Sequence, residues 1–250
     1  MKSKIYLTAS AFFLLFSLIA KAQNTNYFQP RISTESNYSR IDTNAQGQVV
    51  LISGYKSSNV RMNSINEFEK KYLGTPFFKN GWYTGSFILS GGKSVEGLMA
   101  YDLVKNQVYY SQNTNSNAQT FRPDDFTIND THFTKLKGEY SRAGDFYYEI
   151  LADGNYLLLK QYTCDYKPTK TDVDNGYGSN ANREFEGEYK KEEKLYLTYE
   201  GQLILVKNKK KFYRSLGELY SKAYGFSKEK KLNISKEDDA IALVEHLNKN

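Results

Sequence analysis

The sequence predicts a mainly β, α+β protein: an antiparallel meander, open or barrel-like, of about eight to ten strands, with a short N-terminal helix and two C-terminal helices. Three observations carry this. Most of the chain between Gln48 and Lys207 reads as short runs of period-two alternation, separated by turns rich in glycine and asparagine. Tyr and Phe are abundant, at 22 and 15 residues, and aromatic rings suit half-buried strands. After Lys207 the apolar spacing changes from two to that of a helix.

The first residues concern location. Met1-Lys2-Ser3-Lys4 precedes an apolar run from Ile5 to Ala20, and Ala20-Lys21-Ala22 presents small residues where a signal peptidase reads. A basic start, a short apolar run and such a site describe a secretory signal peptide over 1–22. The uninterrupted apolar core, Ala9 to Ala20, is shorter than the about 20 residues that cross a bilayer. Cleavage is expected before Gln23, with no Cys there to be acylated. No later segment reads as a transmembrane helix. The expected location is therefore the periplasm or an association with the outer membrane.

Net charge is +6, and loss of Lys2, Lys4 and Lys21 would leave 6 − 3 = +3. Much of the basic character thus belongs to the leader, which argues against nucleic acid as a partner. The single cysteine, Cys164, can form no disulfide within the chain. Between Tyr162 and Tyr166 it reads as a buried, inert thiol.

Residues 23–47 are polar and read as a flexible mature N-terminus. Residues 48–250 read as one β-rich domain whose helical part is 209–250. Gln48–Tyr55 is a short strand. Met62, Ile65, Phe68 and Tyr72 fit a helical stripe that Asn63 or Ser64 would cap, so a short helix is expected over 60–72. Phe77–Tyr110 is the expected organiser of the sheet, with strands Trp82–Ser90, Val95–Leu103 and Gln107–Ser111. Turns at Ser90-Gly91-Gly92-Lys93 and Val104-Lys105-Asn106 join them. Gly85 and Gly97, inside strands, mark bulges or close backbone approaches.

A polar loop, 112–119, leads to a strand over Thr127–Leu136. A hairpin follows, Phe146–Leu151 and Tyr156–Tyr166, turning at Ala152-Asp153-Gly154-Asn155. Residues 167–182 form a long loop. Arg183–Lys190, Leu195–Tyr199 and Gln202–Lys207 are three more strands. One helix is expected from Lys209 to Tyr224, ended by Gly225. A second begins at Ser235, with Asp238 completing an imperfect capping box and Ile241, Val244 and Leu247 on its apolar face.

Several of these stretches carry a resemblance. In the tail they are Leu195-Tyr196-Leu197, then Gly201, Leu203, Ile204, Val206 and the basic run Lys207–Lys211. Phe212, Leu216, Lys231-Leu232-Asn233, Glu237-Asp238-Asp239 and Leu243-Val244 follow. In the centre they are Trp82-Tyr83-x-Gly85, Tyr101-Asp102-Leu103 and Asn106-x-Val108. With a leader ending Lys21-Ala22-Gln23, the chain resembles a family of uncharacterised exported proteins of Bacteroidota. That resemblance implies an envelope location and assigns no activity.

The residues offer little catalytic chemistry by spacing. The two histidines, His132 and His246, form no metal-ligand motif, and no metal or other cofactor is expected. Nothing around Cys164 resembles a Cys–His nucleophile. Gly91-Gly92-Lys93-Ser94 lacks the preceding glycine of a phosphate loop and sits in a hairpin. Carboxylates are the remaining route, since a glycosidase needs only two. The candidates are Asp124, Asp125, Asp145, Glu149 and the alternating Glu184, Glu186 and Glu188.

Binding features are more numerous. Lys209, Lys210 and Lys211, with Lys207 and Arg214 nearby, open a helix where cations oppose the dipole, which leaves contact with an acidic partner open beside the default of a solvated turn. Trp82, Tyr83, Tyr101, Tyr109 and Tyr147 are candidate contacts on aromatic strand faces. Adjacent pairs such as Tyr109-Tyr110 and Tyr147-Tyr148 point to opposite faces. The first functional expectation is a non-catalytic binding or accessory protein, contacting a protein partner in the cell envelope such as an outer-membrane transport or secretion complex. The alternatives are a carbohydrate-active hydrolase using paired carboxylates, and a small-ligand or lipid carrier.

Overall fold

The computed structural model describes residues 35–59, 64–89, 91–113, 117–143, 145–169 and 184–249. The expected signal peptide and most of the 167–182 loop lie outside them. The described chain contains the strands β1 (Glu35–Thr43), β2 (Val49–Asn59), β3 (Ser64–Leu73), β4 (Tyr83–Ile88), β5 (Ser94–Asp102), β6 (Gln107–Ser111) and β7 (Gln119–Phe121). Next come β8 (Asp125–Ile128), β9 (Thr131–Lys135), β10 (Tyr147–Ala152), β11 (Leu158–Pro168), β12 (Gly187–Tyr199) and β13 (Gln202–Leu205). Helices α1 (Lys210–Arg214), α2 (Tyr220–Glu229) and α3 (Glu237–Asn248) follow.

The strands form one large, open, mostly antiparallel sheet in the order β1-β2-β3-β12-β11-β10-β9-β8-β4-β5-β6-β7. Strand β12 pairs along one edge with β11. Along the other it takes β3, in parallel, at Gly187 and Glu188, and β13 at Tyr196–Tyr199. Among the described residues, Glu35–Asn37 and those of Tyr55–Phe68 belong to a separate small unit, in which the Tyr55 and Phe68 rings stack at 4.9 Å. The features below belong to the other unit, Tyr38–Gly54 and Glu69–Asn250.

The mainly β class with C-terminal helices matches expectation, but the N-terminal helix does not form. Ser64–Leu73 is strand β3. Phe68 of the expected stripe is exposed rather than packed in the core, and pairing with neighbouring strands decides the conformation instead. Glu35–Thr43, within the stretch read as flexible, is strand β1. The single strand expected over 127–136 is a hairpin, because Asn129 and Asp130 both take positive φ, 45° and 67°, as a two-residue turn requires. The two strands expected on either side of residues 191–194 are one continuous β12, paired with β11 throughout.

Among the helices, Gly225 lies inside α2 and ends nothing. The break falls earlier, at Gly217, whose φ is +52° and where an added Cβ would meet the Tyr199 hydroxyl at 3.0 Å. The expected capping box at Ser235 is not used. Helix α3 starts after Lys236 without a side-chain cap, and the Ser235 hydroxyl accepts from the Asn208 amide.

Two apolar clusters hold this unit together. One is aromatic and lies on a single face of the sheet. Register places Phe87 opposite Phe126 and Phe126 opposite Phe133. Phe133 stacks on Phe126 at 4.9 Å and meets Phe78, Tyr101 and Tyr162 edge-on at 5.0, 5.3 and 5.8 Å. The other cluster packs the helices on Leu158 and Leu197 through Phe212, Leu216, Leu243, Val244 and Leu247. Asn248 fastens α3 to the turn after β10: its Oδ1 accepts from the Tyr156 amide, and its Nδ2 donates to the carbonyls of Asp153 and Tyr156.

Gly85 and Gly97 face each other across β4 and β5. A Cβ on Gly97 would stand 2.6 Å from the Tyr110 ring and 2.7 Å from the Ser111 carbonyl, so close approach is what the glycine permits. Gly97→Ala is expected to lower stability by about 1–3 kcal/mol in urea denaturation, the cost of overpacking. Gly91→Ala, with open space around it, should leave the midpoint unchanged.

Candidate functional site

The β5–β6 turn builds one wall of a groove. Asp102 is buried, and its Oδ1 accepts from the amides of Val104 at 3.0 Å and Lys105 at 2.9 Å, the side-chain turn that Asp favours. Leu103 donates to the Pro76 carbonyl at 2.9 Å, and Phe77 bridges to Asp102. The segment before β4 is thereby laid along the end of β5. Phe77 and Trp82 then reach Tyr109 edge-on, with ring centroids 5.9 and 6.3 Å away. Lys105 Nζ and Gln107 Nε2 both donate to the Tyr109 hydroxyl, at 3.2 and 3.0 Å. The bond to Tyr109 holds the Lys105 ammonium above its ordinary value.

Arg40 and Ile41 of β1, Leu51 of β2 and Tyr189 of β12 complete the lining. The volume is about 580 Å³, within the range of small-molecule sites. The lining is mainly apolar, with Arg40 held at 3.2 Å by Glu69. Such a groove has the shape and lining to take a flat or apolar group against Trp82 and Tyr109, with charge at one end.

Of the candidate contact residues, Trp82, which is 38% exposed, and Tyr109 are brought together here. Tyr101 and Tyr147 are core residues and offer no surface to a partner: they are 2% and 0% exposed. Their hydroxyls donate to Asn106 Oδ1 and the Pro123 carbonyl. Tyr83 packs against the aromatic cluster and donates to the Lys79 carbonyl. Lys209, Lys210 and Lys211 are exposed at the start of α1, away from the groove lining. Cys164 is buried, and burial pushes its thiol up to about 11.

The candidate carboxylates are divided between clefts. Asp124 and Asp125 open on one cleft beside His132, where Asp125 Oδ1 lies 3.8 Å from His132 Nε2. Glu149 lines a different cleft, while Glu184 and Glu186 precede β12, which begins at Gly187. Among the described residues no cluster of three His, Cys, Asp or Glu side chains could hold a metal ion. Sequence reasoning missed Phe77, Arg40, Ile41 and Leu51. The one available signal was Pro76-Phe77-Phe78, where a proline precedes two rings that take opposite roles, Phe77 in the groove and Phe78 in the core.

The chain matches no family model, no curated protein and no solved structure.

Proposed function

We propose that this is an exported, non-catalytic binding protein of the cell envelope, whose groove at Trp82, Tyr109 and Phe77 receives an apolar or aromatic group of a protein partner. The observation that carries the reading is the meeting of an exposed Trp with two further rings in one concavity. Trp and Tyr are the residues on which binding energy concentrates when their rings enter a desolvated pocket. The envelope location rests on the leader-like residues 1–22 and on the family resemblance. The volume of about 580 Å³ also supports a second reading, in which the occupant is a small ligand.

Tagged protein incubated with a detergent-solubilised envelope fraction tests the first reading. The expected result is capture of one partner complex by the wild type and at least about tenfold weaker capture by Trp82→Ala, the loss typical of a central anchor. Equal capture by the two proteins would overturn it. Trp82 is the only tryptophan, so its emission reports the small-ligand reading directly: a shift on adding an envelope metabolite extract, absent in Tyr109→Ala, supports it.

A further inference from the structure

The helical end of the chain begins with the run Lys207 to Arg214, which holds five cations and no acid. Its backbone is pinned at several points. The Val206 amide donates to the Leu195 carbonyl at 2.8 Å and the Asn208 amide to the Ser235 hydroxyl at 3.2 Å. Phe212 and Tyr213 of α1 are buried. Lys207, Lys209, Lys210, Lys211 and Arg214 are all exposed, and they are presented on ordered backbone. Lys210 and Arg214, four apart, share one face of α1.

Helix α2 adds to this face. Lys210 Nζ and Lys228 Nζ lie 5.9 and 5.0 Å from the centroid of the Tyr224 ring, both within cation–π range. Tyr224 is half-buried, stacked on Tyr220 at 5.5 Å and edge-on to the buried Tyr213 at 5.3 Å. The ring is thus fixed by its neighbours, and two ammoniums from different helices are gathered on it. The carboxylates of the helices do not neutralise them. Glu229 pairs with Lys230 at 3.1 Å, Glu237 with Lys160 at 2.8 Å, and Asp239 Oδ2 accepts from the Asn233 amide at 2.8 Å. Among the described residues no carboxylate lies within ion-pair distance of Lys207, Lys209, Lys210, Lys211, Arg214 or Lys228. Gly225, one turn before Lys228 in α2, has open space where a side chain would stand. A glycine inside a helix weakens it, and no packing demands this one. It leaves a stretch of bare helix that a flat surface can approach.

We propose that this face, Lys207–Arg214 with Tyr224 and Lys228, docks the protein on a bilayer surface that bears anionic phosphate lipids. Cations gathered without carboxylates repel one another in the free protein, and an array of phosphates relieves that repulsion. The face is made of exposed helix surface, and the clefts described above are lined by other residues. Its fit is therefore to an extended anionic surface rather than to an enclosed small ion. Tyr220 and Tyr224 suit such a surface, because a tyrosine sets an apolar body and a polar tip at headgroup level. The choice of lipid over nucleic acid rests on the export reading of residues 1–22. The docking itself is separate from the Trp82 groove and stands or falls independently of it.

The test is co-sedimentation of the exported protein with vesicles of phosphatidylglycerol and phosphatidylethanolamine, against vesicles of phosphatidylcholine. The expected result is binding about tenfold or more stronger to the anionic vesicles, lost at high salt as screening requires. Lys210→Gln and Lys228→Gln should each weaken it about fivefold, the usual share of one lysine near such a surface. Lys93→Gln, at an exposed lysine of the β4–β5 turn, should leave it unchanged. Gly225→Glu places an acid beside Lys228 in a helix whose propensity improves. Vesicle binding should then fall while the melting midpoint holds or rises, which separates docking from folding. Equal binding to the two kinds of vesicle, or the same loss with Lys93→Gln, would overturn the proposal. So would binding to a duplex DNA oligonucleotide with none to the vesicles, which would assign the face to nucleic acid.

Discussion

Phe133→Ala is expected to lower the free energy of unfolding by about 3–5 kcal/mol, the range for emptying a buried aromatic site. Phe133 is 0% exposed and touches four other rings, Phe78, Tyr101, Phe126 and Tyr162. Those rings sit on β5, β8, β11 and the Phe78–Asn80 turn, and strand register fixes their spacing, so the cavity has little room to collapse. Urea denaturation followed by far-UV circular dichroism gives the number. A loss below about 1 kcal/mol would mean that the rings repack freely and that the cluster does not specify the fold.

Alkaline pH is expected to unfold the protein through the same cluster. Burial raises the Tyr101, Tyr147 and Tyr162 hydroxyls of that cluster above their ordinary value and pushes Tyr148, which lies outside the cluster, up to about 12. In an unfolded chain these groups ionise near 10. Above that pH the folded state therefore binds more protons than the unfolded state, and stability falls as pH rises. Below about 10 this contribution is fully present. Tyrosinate absorbance at 295 nm should rise for these residues together with the loss of secondary structure. Ionisation of all tyrosines near pH 10 without unfolding would contradict the burial.

What was legible in the sequence was local. Asp153-Gly154 marked a hairpin turn, Gly91-Gly92 another, and the change of period after Lys207 marked the helices, because each signal and its consequence lie within a few residues. Adjacent tyrosines were correctly placed on opposite faces, but period two does not say which face is inner. Tyr110 packs toward the aromatic cluster and Tyr109 lines the groove, and only the chain crossing at Pro76–Phe77 decides it. The missed elements depend on distant partners. Strand β3 is a strand beside β12, more than a hundred residues later in the chain. The groove residues Arg40 and Ile41 lie in a polar stretch whose order comes from pairing with β2. Nothing in the sequence singled out Lys191, and its contact with Asn80 spans 111 positions.

Strand β12 has a consequence for solubility. Its second edge is occupied at both ends, by β3 and β13, and among the described residues no strand pairs with the stretch between them. An unfilled length of sheet edge is a template for a stranger's strand, the usual first step toward fibrous aggregates. Here that length reads Lys190-Lys191-Glu192-Glu193-Lys194, with Lys190 on Glu188 at 3.1 Å and Lys194 on Glu192 at 3.4 Å. An invading strand would have to displace those ion pairs and lie beside five charges at once. These five charges therefore guard the gap, so neutralising them together would expose the sheet to self-association even where the fold itself survives.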